Sequence, residues 1–203
     1  ELFHLMTIGE IYSPPRCTAR AHRHGLVGGR AFDLTLGDDL LDPENRKACL
    51  KHLREHDYDF LAVTPPCTMF SMLQFLGANR SREELEHDPV YQRKFHDAMI
   101  LLTFGVICCL DQQRRGRWYM FEQPWNACSW RQPIVQRVLR LPSTYVGRTD
   151  QCCFGLVDAN HAPIRKRTGI MSNSRCLIRE VVRTCKGNHA HQQIGRASCR
   201  ERV

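Results

Sequence analysis

Residues 60 to 74 read FLAVTPPCTMFSMLQ, and the fold turns on the middle of that run. Phe60-Leu61-Ala62-Val63 is short, apolar and β-prone, the pattern of a buried strand. Thr64-Pro65-Pro66 ends it. Two successive prolines bias the residue before them away from helix and withdraw two backbone donors, so the chain leaves the sheet on an extended path. Cys67 then stands at the strand's carboxyl end. Ligands of open α/β sheets bind along that edge, which makes Cys67 a candidate nucleophile, the alternative being a small buried thiol.

On the amino-terminal side, residues 5 to 12 (LMTIGEIY) predict a first strand, closed by Ser13-Pro14-Pro15-Arg16. A helix is expected from Thr18 as N-cap to Gly25 as stop. A short strand, RAFDL, follows with Asp33 at its end, then a loop containing Gly37-Asp38-Asp39-Leu40, then a helix over Glu44 to Glu55. On the carboxyl side, the polar residues 79 to 94 predict a mobile connection into an apolar helix from His96 to Gln113. GRWYMFEQP is the next strand, ending on Glu122, Gln123 and Pro124. A surface helix over 129 to 142 and a final hairpin-like pair, TYVGRTDQCCFGL and RTGIMSN, complete the pattern. Strands alternating with helices indicate an α/β domain with a mostly parallel sheet.

The chain has 203 residues, 42% of them apolar, enough for one domain with a real core. No uninterrupted apolar run reaches the roughly 18 residues of a membrane span, and the start lacks a signal-peptide pattern. An intracellular protein, nuclear or cytoplasmic, with no membrane partner is therefore expected, and a monomer. The 11 cysteines sit in a chain with an ordinary core rather than a small disulfide scaffold, so reduced thiols are the better reading. Residues 194–203 resemble a translated sequencing adapter and are read as a non-native tail, leaving residues 1–193 as the domain. Without Arg196, Arg200, Arg202 and Glu201 the net charge falls from +8 to +6. That balance suits a polyanion such as DNA, or RNA, although a basic domain without such a partner has the same composition. The chain begins at Glu1 and is read as a piece of a longer protein.

Three strand ends carry functional groups: Asp33, Cys67 and Glu122. In a parallel sheet they share one edge. TPPCTMFS resembles the Pro-Cys motif of cytosine-5 DNA methyltransferases through Pro65, Pro66, Cys67, Phe70 and Ser71. FEQP resembles that family's Glu-Asn-Val strand end, with Gln-Pro in place of Asn-Val. FGL followed by APIRKRTGIMSN is similar to its later segment through Phe154, Gly155, Pro163, Arg165 and Arg167. EIYSPPR, DQCCFGL and CKGNHAH, taken with these, also resemble methyltransferase-like domains of mobile-element polyproteins in unicellular eukaryotes.

The resemblance implies a Rossmann-like, S-adenosylmethionine-dependent methyltransferase fold, truncated at the carboxyl end. It implies a DNA (cytosine-5)-methyltransferase-like function with Cys67 as nucleophile and Glu122 as the acid at ring N3. Arg165 and Arg167 would contact the base and its backbone. S-adenosylmethionine would lie against Tyr12, Ser13, Asp33, Asp39 and Pro65, with Asp33 on the ribose and Asp39 near the adenine. Cytosine carbon 5 is a poor nucleophile until a thiolate adds at carbon 6, and the base must leave the duplex to be reached. One departure is large: Tyr12-Ser13-Pro14-Pro15-Arg16 replaces the family's glycine-rich turn, and prolines cannot donate hydrogen bonds there. The other reading is therefore an inactive methyltransferase-fold module that binds nucleic acid, and this fragment is expected to show little or no turnover.

Each residue also has a duller role. Glu122 could be a helix N-cap or a salt-bridge partner, Arg165-Lys166-Arg167 could be a solvated charge run, and Asp33 and Asp39 could cap turns and helices. Cys185, His189 and His191, with Cys176 upstream, are zinc-type donors. The spacing C-x3-H-x-H lacks a second paired-ligand knuckle, so no metal site is expected.

Overall fold

Strand β1 (Thr7–Ile11) lies at the centre of a parallel array, with β2 (Val27–Phe32) on one side and β3 (Phe60–Val63) on the other. Strand β4 (Trp118–Pro124) continues the array beside β3. Strand β6 (Arg167–Ser172) runs antiparallel to β4, and β5 (Tyr145–Asp150) antiparallel to β6, giving the order β2-β1-β3-β4-β6-β5. The computed structural model describes residues 5–71 and 82–192.

This order has a consequence for binding. The chain leaves β1 toward β2 and then returns to the opposite flank of β1 as β3, so the strand order reverses between β1 and β3. Open α/β sheets form their ligand crevice at the carboxyl ends of strands flanking such a reversal. Ile11 pairs in register with Val63, and Val63 with Phe121, so the residues after β1 and β3 and the last residues of β4 lie at one level. Ile11, Leu61, Val63 and Phe121 are fully buried, and their burial fixes that register, since a one-residue slip would turn them to the other face.

The helices begin where the sequence offers a cap followed by proline. Asp42 accepts from Glu44 N at 2.8 Å and Pro43 opens α2 (Pro43–His56). The same device, Asp88 accepting from Val90 N at 2.8 Å with Pro89 next, opens α4 (Pro89–Arg114) seven residues before the expected start at His96. The polar residues up to Lys94 had suggested a connection. They form the exposed start of the helix, after a short α3 (Arg82–Glu86), and the rest of the expected connection up to residue 81 lies outside the described residues.

Helix α4 is long and apolar enough to cross a membrane, but here it serves the core. Leu102, Phe104, Val106, Cys108 and Cys109 are buried against the sheet and α5 (Pro133–Leu139). Gly105 permits its approach: a Cβ there would come within 3.0 Å of the Pro65 ring and 3.1 Å of Val63.

Helix α1 departs from expectation. It spans only Cys17–Arg20 and continues as a 3-10 turn, Ala21–His24, to the expected stop at Gly25, whose φ is +68°. Thr18 lies inside the helix and is buried, so it is not the N-cap. The N-cap is Arg16, whose side chain makes no capping bond, and Glu10, from within β1, supplies the acceptor instead. The antiparallel β5–β6 pair follows the predicted final element, and a further helix, α6 (Arg175–Val181), is capped by Ser174, whose side chain accepts from Leu177 N. At the amino ends of β3 and β4 an ionic network joins Arg115 and Arg117 to Asp57, Arg117 to Asp59 at 2.7 Å, and Arg54 and Arg115 to Asp111. It ties the two central strands and α4 together at the edge opposite the crevice.

Candidate active site

The Pro65-Pro66-Cys67 segment is held in place by a residue the sequence reading treated only as a substituted motif position. Gln123 on β4 is fully buried, and its Nε2 donates to the Pro65 carbonyl at 2.6 Å. Its Oε1 accepts from the buried Ser129 hydroxyl at 3.0 Å. Both ends of the carboxamide are thus engaged, locking the strand-end loop of β3 to the last turn of β4. Thr64 Oγ1 donates to the Tyr12 carbonyl at 3.0 Å, which ties the same loop to the end of β1. Cys67 follows, half-buried, at the N-cap position of the 3-10 turn Thr68–Phe70, which fully buried Phe70 anchors. The cysteine therefore stands on a loop fixed from both neighbouring strands.

Glu122 precedes Gln123, and successive strand residues point to opposite faces, so its carboxyl meets different partners. Its neighbours are Lys166, whose Nζ lies 3.9 Å from Oε1, and the fully buried Thr168. Oε1 is buried and makes no hydrogen bond. Burial raises the Glu122 pKa above the ordinary carboxylate value, although the Lys166 ammonium and the Thr168 hydroxyl pull it back. A shift in this direction enlarges the share of the protonated form, and that form can donate a hydrogen bond.

Arg165 and Arg167 are drawn to a site that sequence reasoning missed. Asp150, the last residue of β5, is fully buried and lies 3.4 Å from Arg165 Nε and 4.0 Å from Arg167 Nε. The two arginines neutralise this buried carboxylate. Lys166, between them, is the basic residue beside Glu122. An aspartate in the middle of a predicted strand, five residues before Gly155, carried no signal of that role.

The crevice end of β1 keeps a glycine-like path without a glycine. Tyr12 has φ +65°, the left-handed conformation that glycine adopts without steric cost. Its ring is secured by a hydroxyl bond to the Leu101 carbonyl at 2.8 Å and packs against the core, which raises the phenol's pKa. Ser13 donates to the Pro14 carbonyl at 2.9 Å. Beyond it, Glu10, 1% exposed, accepts from Arg16 N at 3.1 Å and Thr18 N at 2.5 Å. The first donors of α1 are therefore satisfied from inside the protein. Asp33 accepts from Thr35 N at 2.9 Å and Thr35 Oγ1 at 2.5 Å, both through Oδ1, and Asp39 accepts from Leu41 N at 2.9 Å. Both aspartates shape turns on the rim of the sheet.

A cleft of about 360 Å³ opens beside the cysteine loop, lined by Pro66, Thr68, Met69, Lys94, Asp97 and Leu101 among others. Pro66 and Thr68 flank Cys67. Neither Cys67 itself nor Glu122, Arg165 or Arg167 is among its lining residues.

No protein-family model matches the chain, and no curated protein matches it. Among solved structures, a methyltransferase from Entamoeba histolytica, EhMeth, is similar with a TM-score of 0.41 and 10% identity. The match covers 95% of this chain and 58% of that one, so the chain spans little more than half the length of that structure.

Proposed function

We propose that the chain is a methyltransferase-type domain of the cytosine-5 kind, in which Cys67 attacks a pyrimidine base of DNA and Glu122 holds that base. The observation that carries this reading is the Gln123–Pro65 bond, which fixes the Cys67 loop against the strand that bears Glu122. A nucleophile on a rigid loop and a carboxyl whose pKa is raised by burial suit addition to a pyrimidine. Cys67, its thiol proton lost to water, forms the sulfur bond to ring carbon 6 while the π pair of the 5,6 double bond shifts to carbon 5 and is delocalised toward N3. Glu122 hydrogen-bonds N3 and stabilises that charge. Carbon 5 thereby becomes the nucleophile. Once carbon 5 is methylated, its proton passes to water and the returning pair expels the thiolate.

S-adenosylmethionine, bound in the crevice between β1 and β3, would supply the methyl group. Its nucleoside end would fall to the residues the resemblance assigns: Asp33, whose bonds to Thr35 both use Oδ1, to the ribose hydroxyls, with Tyr12, Ser13, Asp39 and Pro65 beside it. Its amino-acid end suits them less well, since Pro14 and Pro15 have no N–H and Glu10 already occupies those of Arg16 and Thr18. Those capped donors favour the second reading, a nucleic-acid-binding module that no longer transfers methyl groups.

Trapping separates the two. The chain is incubated with S-adenosylmethionine and an oligonucleotide carrying 5-fluorocytosine, which stalls the reaction as a covalent adduct and needs only one event per molecule. An adduct that requires both the cofactor and Cys67, and is lost in Cys67→Ser, is the expected result. No adduct, with calorimetry showing no cofactor binding and gel shifts still showing DNA binding, selects the second reading.

A further inference from the structure

Four zinc-type donors meet at the far end of the sheet, away from the crevice. Cys152 comes from the 3-10 turn Gln151–Phe154, directly after β5, and Cys185, His189 and His191 from the segment after α6. Their four donor atoms all lie within 4.8 Å of one another. Cys185 Sγ is 3.6 Å from His189 Nε2 and 3.4 Å from His191 Nε2. In a tetrahedron with Zn–S of about 2.3 Å and Zn–N of about 2.05 Å, sulfur and nitrogen stand roughly 3.5 Å apart. The observed separations match that edge.

The surroundings are arranged for ligation as well. Gly187, at φ +74°, turns the chain so that its N–H donates to Cys185 Sγ at 3.3 Å, which orients the sulfur. His189 Nδ1 lies 3.0 Å from Asn188 Oδ1, and a hydrogen bond donated there would leave the Nε2 lone pair for a metal. The Cys185 N–H donates to Asp150 at 2.8 Å, two residues before Cys152, so one buried carboxylate aligns both ligand-bearing segments. The spacing C-x3-H-x-H looked incomplete because its fourth ligand is 33 residues upstream in sequence, in an adjacent-cysteine pair. Cys176, the upstream thiol the sequence suggested, sits exposed on α6 outside this group.

We propose that Cys152, Cys185, His189 and His191 bind one zinc ion. Two thiolates and two imidazoles in a tetrahedral set select zinc among common divalent ions, and four protein ligands leave no open position, so the role is structural. The ion pins the segment from Arg183 to Gln192 onto the loop carrying Arg165 and Lys166. Gln192 bridges to Ile164 at that junction.

The test is metal analysis of the purified 203-residue chain by mass spectrometry after dialysis against metal-free buffer. One zinc per chain is expected. Cys152→Ser and His191→Ala should weaken zinc binding by at least about 100-fold, beyond the usual effect of losing an outer-shell partner, while Cys153→Ser and Cys176→Ser keep full occupancy. Because a ligand variant can fail to fold, cobalt titration of the unaltered chain gives a second reading. The visible absorption of tetrahedral cobalt with thiolate charge transfer is expected. Folded protein without zinc, a cobalt spectrum lacking thiolate ligation, a folded Cys152→Ser with unchanged zinc, or a Cys152–Cys185 disulfide in the native protein would each overturn the proposal.

Discussion

Gln123 Nε2 donates to the Pro65 carbonyl at 2.6 Å, and through that bond β4 holds the loop on which Cys67 stands. The carboxamide is fully buried and also accepts from Ser129, so its removal strands two buried polar groups. Gln123→Ala should destabilise the fold by about 2–3 kcal/mol, the cost of leaving such groups unsatisfied plus a small cavity. Urea unfolding measures this. Trapping by Cys67 should fall in the same variant even where it is fully folded, and unchanged trapping would show that the loop needs no support from β4.

Glu10 makes the second such prediction. An acidic residue in the middle of a central strand is costly unless its charge is satisfied, and here the N–H groups of Arg16 and Thr18 satisfy it. Glu10→Ala should cost about 3 kcal/mol. Glu10→Gln keeps an acceptor oxygen of the same reach and should cost about 1 kcal/mol, because charge-assisted bonds are roughly twice as strong as neutral ones. Equal losses in thermal unfolding of the two variants would mean that the carboxylate charge contributes nothing to the turn.

These two residues also mark where the sequence stopped being legible. Strands β1, β3 and β4 could be read because Ile11, Val63 and Phe121 belong to apolar runs ended by proline, and the side-chain period of a strand is local information. That the strands leading to Asp33, Cys67 and Glu122 run parallel and end on one edge followed from strand–helix alternation alone. What Glu10, Gln123 and Asp150 do was not legible, since each is a polar residue whose partner lies across a strand pair or beyond a turn. Arg165 and Arg167 were readable as cations, yet their pairing with Asp150 depends on the antiparallel register of β5 and β6. The start of α4 was missed for a different reason: Asp88-Pro89 is a good helix-opening pair, but the exposed face that follows it is as polar as a loop.

Gly28 on β2 tests the packing behind the crevice. A Cβ at this position would overlap the Thr18 carbonyl of α1, which is backbone and cannot swing aside. Gly28→Ala should therefore force β2 and α1 apart and cost about 1–3 kcal/mol, the usual range for overpacking. Gly25→Ala, where a Cβ meets nothing but the left-handed φ is retained, should cost about 1 kcal/mol. The contrast in chemical denaturation midpoints between the two variants checks whether close approach or backbone conformation dominates.

Glu122 gives a pH signature. Burial raises its pKa in the folded protein above the unfolded value, so between those two values the native state binds more protons than the unfolded state. Stability from this group is therefore complete below the ordinary carboxylate range, falls as pH rises through it to the raised value, and stays at the lower level beyond. Glu122→Gln cannot ionise and lacks this slope. The variant should match the parent near about pH 4 and exceed it near about pH 8, by about 1.4 kcal/mol for each unit by which the pKa is displaced. Thermal midpoints of both proteins across that range read the difference directly. A gap that stays constant with pH would mean that Lys166 fully compensates the buried charge, and the carboxyl would then be ionised at neutral pH and unable to donate to a base. Trapping by Glu122→Gln discriminates further: its amide can still donate a hydrogen bond to N3 but has no proton to transfer, so a weakened but detectable adduct is expected.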